Sequence, residues 1–146
     1  MIDPLVRRAE ASDAEQLHWL EAISRRALLD QRGGPRWLSA HHERGASWAS
    51  TIASSDVFVA HIDEVVIGYL VASRHGDVLV VDDVFVHPEA RQLGFGDELL
   101  AAALADGRAA GMRLLEGESL PGDRDTKNLY ERAGIKARLI TVSKEL

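Results

Sequence analysis

The sequence contains no cysteine. That excludes a disulfide framework, a thiolate nucleophile and cysteine-based zinc or iron–sulfur centres. No apolar run approaches the ~18–20 residues that a membrane-spanning helix requires, so no membrane partner is expected. Basic residues are in deficit: 17 Lys and Arg stand against 23 Asp and Glu, a formal charge of −6. Nucleic-acid binding needs clustered cations to neutralise phosphates, so this balance points away from a nucleic-acid partner. Met1 to Glu10 lack a basic segment followed by an apolar stretch, so nothing there reads as a secretory leader. Repeats, low-complexity tracts and an interdomain linker are also missing. What remains is 146 residues, 46% hydrophobic and 27% charged. That composition is expected to give one cytoplasmic domain, residues 1–146, with a substantial core.

Hydrophobic periodicity divides the chain. Leu5 to Ala9 reads as a short strand. From Ala14 to Gln31, Leu17, Leu20, Ile23, Ala27 and Leu28 recur at helical spacing, with Ser12 or Asp13 as cap. Arg32-Gly33-Gly34-Pro35 stops that helix. A looser helical stretch runs from Trp37 to Ile52. The period then changes, and Val57–Ile62, Val65–Ser73 and Val78–His87 read as strands with turns at Asp63-Glu64 and His75-Gly76-Asp77. Such short connections suit antiparallel hairpins. A helix follows through Leu99, Leu100, Ala103 and Leu104, then a strand at Met112–Glu116, a helix at Asp123–Ala133 and a last strand at Ile135–Ser143. The expected fold is α/β in the α+β sense. It is a mixed, largely antiparallel sheet flanked by helices in the order β-α-α-β-β-β-α-β-α-β.

The segment from Val84 to Leu100 carries the chemistry. A strand ends at Pro88, a turn reads Arg91-Gln92-Leu93-Gly94-Phe95-Gly96, and a helix opens on the second glycine. The first N–H groups of a helix have no partner within it and suit a phosphate, which glycines allow to approach closely. The Gly-Lys-Ser/Thr ending of a Walker A loop is missing. So is the third glycine of the dinucleotide fingerprint, since Leu99 stands there. On the glycines alone, a turn that merely starts a helix is an equal explanation.

With its strand, this segment resembles the acetyl-CoA-binding motif of the GNAT superfamily of N-acetyltransferases. Downstream, Thr126-Lys127-Asn128-Leu129-Tyr130-Glu131-Arg132-Ala133-Gly134-Ile135 is similar to that family's closing segment, and the element order agrees over nearly the whole chain. The resemblance implies acetyl-CoA as cosubstrate. Backbone groups of Phe85 and Val86 would pair with the pantetheine arm. N–H groups of Arg91, Gln92, Leu93, Gly94, Phe95 and Gly96, with the Arg91 side chain, would hold the pyrophosphate. A strand N–H near Val84 or Phe85 would polarise the thioester carbonyl. Asn128 would face the cofactor, and Tyr130 would protonate the departing thiolate. Asp97 departs from the family pattern and puts a carboxylate in the first turn, where it interacts with the helix dipole. Asp123 stands where many relatives place Asn, and it reads equally as an N-cap. The family usually ends in a two-strand hairpin, whereas Ile135 to Leu146 leave room for one strand. Either the sheet is one strand short or a partner subunit, giving a homodimer, completes it.

Acetyl transfer needs a neutral amine, and an alkyl ammonium of pKa ~10.4 is only roughly 0.1% free base near neutral pH. A carboxylate or water chain must take its proton. Asp82 and Asp83 precede the motif and resemble the Glu-Asp pair of the family's polyamine acetyltransferases. Adjacent strand residues point to opposite faces, so one of the two reaches the cleft unless a bulge redirects the other. Asp82 is favoured as base and Asp83 as an amine-side contact, with Glu116 and Glu118 as fallbacks. His41 and His42 diverge by about 100° on a helix and suit a substrate loop better than a metal, and no metal site is expected. Arg25, Arg26, Arg32 and Arg36 are either a solvated helix face or a border of the acceptor site. Trp19 and Trp37 could pack at that border, with core packing as the default expectation. The implied activity is transfer to a small-molecule or peptide primary amine by direct attack in a ternary complex. The absence of cysteine fits direct transfer. The alternative is a non-catalytic acyl-CoA-binding or regulatory module of the same fold.

Overall fold

Alternation of side chains along the valine-rich strands builds two cores at once. In the computed structural model, which describes residues 5–146, the strands β1 (Leu5–Arg8), β2 (Asp56–Ile62), β3 (Val65–His75), β4 (Val78–Val86) and β5 (Leu114–Gly117) form one sheet in that order. The first three pairings are antiparallel, and β5 lies parallel to β4. Five helices complete the chain: α1 (Ala14–Leu28), α2 (Gly34–Ala40), α3 (Trp48–Ser54), α4 (Phe95–Ala109) and α5 (Arg124–Arg132). The absence of a leader was read from residues that lie partly outside the described ones. No helix among the described residues is long and apolar enough to cross a membrane.

Val57, Val59, Tyr69, Val71 and Phe85 face Leu17 and Leu20 of α1 and Trp48 of α3. Their neighbours Phe58, Ala60, Leu70, Ala72, Leu79 and Val81 face Leu99, Leu100 and Ala103 of α4 and Leu129 and Tyr130 of α5. A period of two on the strands against 3.6 on the helices therefore yields a helix layer on each face.

Four expectations need correction. The first helix ends at Leu28 rather than Gln31. The Trp37–Ile52 stretch is two short helices joined by a loop and a 3-10 turn at Gly45–Ser47, with Pro35 in the first turn of α2. Asp13 occupies the N-cap of α1, but its side chain does not cap. Instead it turns back to the Glu10 N–H (2.7 Å) and the Arg7 guanidinium (2.7 and 2.9 Å). Finally, Ile135–Ser143 is not a strand: residues 135–146 run without regular structure, leaving Leu139, Ile140 and Val142 exposed. A strand needs a partner for its backbone groups. Among the described residues the outer edge of β5 pairs with nothing.

Candidate functional site

The parallel pairing of β4 with β5 stops at Val81–Gly117. Beyond it, β4 continues to Val86 while β5 ends, so one edge of Asp82 to Val86 faces a cleft instead of a strand. On its other edge the register passes from Val71–Asp83 to Ala72–Val81, leaving Asp82 as the extra residue of a β-bulge. The bulge resets the alternation. Val81 and Val84 face the α4 layer, while Asp82 and Asp83 both turn to the α1 side. The bulge, left open as the alternative to divergent aspartates, is present: one residue inserted between the pairing positions brings both to the same face.

The two aspartates nonetheless differ in surroundings. Asp83, with 14% of its side chain accessible, accepts hydrogen bonds from the Tyr69 hydroxyl (3.0 Å) and the Arg44 guanidinium (3.0 Å). Burial pushes its carboxyl above the ordinary value, and Arg44 pulls it partly back. Asp82 is exposed, has no ion-pair partner among the described residues, and lines a cavity of about 350 Å³ with Trp37, His41, His42, Arg44 and Glu118. The histidines thus border the cleft. Trp37 stacks on His41 (ring centroids 4.2 Å apart), and Trp19 is 55% exposed and stacked on His87, so neither tryptophan is a core residue. The arginine cluster is partly structural: Arg25 donates to the His41 carbonyl (2.8 Å) and Arg32 to that of Pro121 (3.4 Å).

Sequence reasoning missed what holds this wall. Glu21, 1% exposed in the middle of α1, accepts from the backbone N–H groups of Arg44 and Gly45, from Trp48 Nε1 and from the Arg44 guanidinium. Its signal was present: Glu21 follows Leu17 by four positions, on the buried stripe of the helix.

Tyr130 enters from the opposite side. Amphipathic α5 buries Leu129 and Tyr130, and Asp123 caps it by accepting from the Thr126 N–H (3.1 Å). The Tyr130 hydroxyl rests on Gly117, where a Cβ would stand 2.3 Å from its oxygen. Burial first, then the negative charges of Asp83, Asp123 and Glu118, hold this phenol well above the ordinary tyrosine range. It stays protonated at neutral pH and can donate a proton.

The turn before α4 has the shape expected of an anion cradle. Gly94 at φ 88° supplies the left-handed step into the helix, and Gln92 adopts φ 64°. No backbone acceptor among the described residues takes the N–H groups of Gln92 through Gly96. Phe95 itself is buried, so only its N–H is on offer. The Arg91 side chain is turned to Asp125 (2.9 Å) and donates to the Val86 carbonyl (3.2 Å). Asp97 is paired with Arg132 of α5 at 2.9 Å. These two ion pairs tie α5 to the turn on either side of Asn128, which sits three positions after Asp125 and four before Arg132. Asn128 is exposed and shares their helix face. Val84 and Val86 are half-buried on the α4 side, Phe85 is buried on the α1 side, and Leu93 is exposed at the tip of the turn. Among the described residues no group of side chains is arranged to hold a metal ion.

The family model for the GNAT acetyltransferases matches residues 13–135. No curated protein matches the sequence. Among solved structures, AAC(6')-Iy in complex with a CoA-linked bisubstrate analogue is 20% identical with TM-score 0.73, over 99% of this chain and 100% of that one. A PaiA N-acetyltransferase from Thermoplasma acidophilum in complex with coenzyme A is 14% identical with TM-score 0.78, over 94% and 92%. A ribosomal-protein-alanine N-acetyltransferase from Brucella melitensis biovar Abortus 2308 is 14% identical with TM-score 0.74, over 99% and 100%. These likenesses establish the fold.

Proposed function

Because the chain belongs to the GNAT acetyltransferase family, we propose that it transfers the acetyl group of acetyl-CoA to a primary amine by direct attack in a ternary complex. One observation carries this reading: β4 and β5 part at Val81–Gly117, with the Tyr130 hydroxyl on Gly117 and the bulged Asp82 on the opposite wall. The donor set fits the cosubstrate. N–H groups from Gln92 to Gly96 hold its pyrophosphate at a helix N-terminus, while that of Arg91 is taken by the Pro88 carbonyl; Phe85 and Val86 offer a strand edge to its pantetheine arm, and Asn128 lies alongside. Pairing with Arg132 offsets the Asp97 charge beside the anion.

Asp82 takes the proton of the incoming ammonium, directly or through a water, and Asp83 contributes negative charge beside it. A strand N–H at Val84 or Phe85 polarises the thioester carbonyl. The neutral nitrogen forms the C–N bond as the C–S bond breaks, Tyr130 gives its proton to the departing thiolate, and the proton shed by the new amide nitrogen passes through water to restore the Tyr130 phenol. The test is thiol release from acetyl-CoA over a panel of amines. Native protein is expected to turn over. Tyr130→Phe is expected to lose about 10²-fold or more in rate while CoA still raises its melting temperature. Stabilisation by CoA with no turnover on any amine would assign the chain instead to non-catalytic acyl-CoA binding.

A further inference from the structure

The cavity beside Asp82 has more negative charge than a single reacting amine requires. Its one lining arginine, Arg44, is already engaged, with its guanidinium 2.9 Å from Glu21 Oε2 and 3.0 Å from Asp83 Oδ2. Asp82 on β4 and Glu118, the residue just after β5, line the same cavity and have no cationic partner among the described residues. The same cavity is lined by a flat aromatic pair: Trp37 and His41 are stacked 10° from parallel. His41 Nδ1 lies 2.8 Å from the Trp37 carbonyl, which can only accept, so Nδ1 donates there and the ring is held flat against Trp37. Open carboxylates beside an aromatic wall favour an ammonium group. At about 350 Å³ the cavity has room for more than the reacting atoms.

We propose that this cavity is a second ammonium subsite, with Glu118 and the Trp37–His41 pair holding a distal cationic amine of the acceptor while Asp82 serves the reacting one. The proposal rests on the acetyltransferase reading and narrows its acceptor to small molecules carrying at least two amines. An aliphatic diamine and a diamino sugar share that chemistry. Amino acids and other acceptors with a carboxylate near the amine are disfavoured, because that carboxylate would face Glu118.

The experiment compares 1-aminobutane with 1,4-diaminobutane, and a monoamino sugar with a diamino sugar, on native protein, Glu118→Gln and Trp37→Leu. Both kcat/KM for acetyl transfer and equilibrium binding by calorimetry are measured. Native protein is expected to prefer the diamine of at least one pair about tenfold, and Glu118→Gln is expected to remove most of that preference. Whichever pair shows the preference identifies the scaffold. Trp37→Leu is expected to reduce the preference by a smaller factor. Equal efficiency on mono- and diamines, or a preference unaltered in Glu118→Gln, overturns the subsite. A loss of kcat on every amine in Glu118→Gln also overturns it, since the residue would then serve the proton transfer. If the diamine binds more tightly through Glu118 but no thiol is released, the subsite stands and the transfer reading falls.

Discussion

Glu21 lies beneath Arg44 and receives it twice: the Arg44 backbone N–H reaches both carboxylate oxygens (3.0 and 3.1 Å), and its guanidinium reaches Oε2 at 2.9 Å. The same arginine then reaches Asp83. A buried carboxylate on α1 thereby sets the loop between α2 and α3 and, through it, one wall of the cleft. Removing one partner of a buried ion pair leaves the other charge uncompensated. Glu21→Ala is therefore expected to lower stability by about 3–5 kcal/mol, read as a drop in the urea midpoint at unchanged slope. An effect below about 1 kcal/mol would mean that Arg44 finds other partners.

Gly117 and Tyr130 give a sharper prediction about activity. A methyl group at Gly117 would stand 2.3 Å from the Tyr130 oxygen, which forces the ring away from the cleft. Gly117→Ala is expected to reduce acetyl transfer to about the level of Tyr130→Phe, a loss of about 10²-fold or more, while CoA binding is kept. Combining the two substitutions should add little further loss, because both act on the proton donor proposed for the reaction. Thiol-release kinetics on the two single variants and the double variant check this, and full additivity would count against it.

How far the site was legible differs from residue to residue. Alternation on the strands and helical spacing at Leu17, Leu20, Leu99 and Ala103 specify a local period, so the two core faces could be read without coordinates. The Arg91–Gly96 turn was equally readable, because a glycine step into a helix is a local feature. Asp82 and Asp83 sharing a face could be read only as an alternative, since a bulge is a mismatch between two strands and depends on how Val71 and Ala72 pair with β4. The Glu21–Arg44–Asp83 chain joins three distant segments, and its only local trace was a carboxylate on an apolar stripe. Ile135–Ser143 shows the opposite failure. Its residues favour a strand, but a strand is a relation to a neighbour, and none is present among the described residues.

Asp97 and Arg132 allow the charge at the anion cradle to be tested separately. Paired at 2.9 Å, they cancel one another beside the N-terminus of α4. Arg132→Ala frees a carboxylate close to the bound pyrophosphate and is expected to weaken CoA binding about two- to fivefold. Asp97→Asn in the same chain should restore it. Calorimetric titration with CoA at low and high salt checks both, with the effect shrinking as salt rises. If the double variant binds as weakly as Arg132→Ala, then Arg132 touches the cofactor directly.

Acid titration should separate two aspartates whose pKa values move in opposite directions. The hydrogen bonds from Arg7 hold the Asp13 carboxyl below the ordinary value. A depressed folded-state pKa contributes stability that is complete above the unfolded value of ~3.9 and is lost as pH falls through the lower folded one. Burial instead raises Asp83. Its folded form binds a proton more readily than the unfolded chain, so it adds stability as pH falls from its raised value toward ~3.9. Asp13→Asn is expected to cost about 1–2 kcal/mol at neutral pH and to flatten the loss of stability in the most acidic range. Asp83→Asn should leave that acidic limb in place and abolish the gain above it. Urea unfolding from about pH 2 to pH 7 measures both limbs, and a native-like acidic limb in Asp13→Asn would show that the Arg7 pair does not govern it.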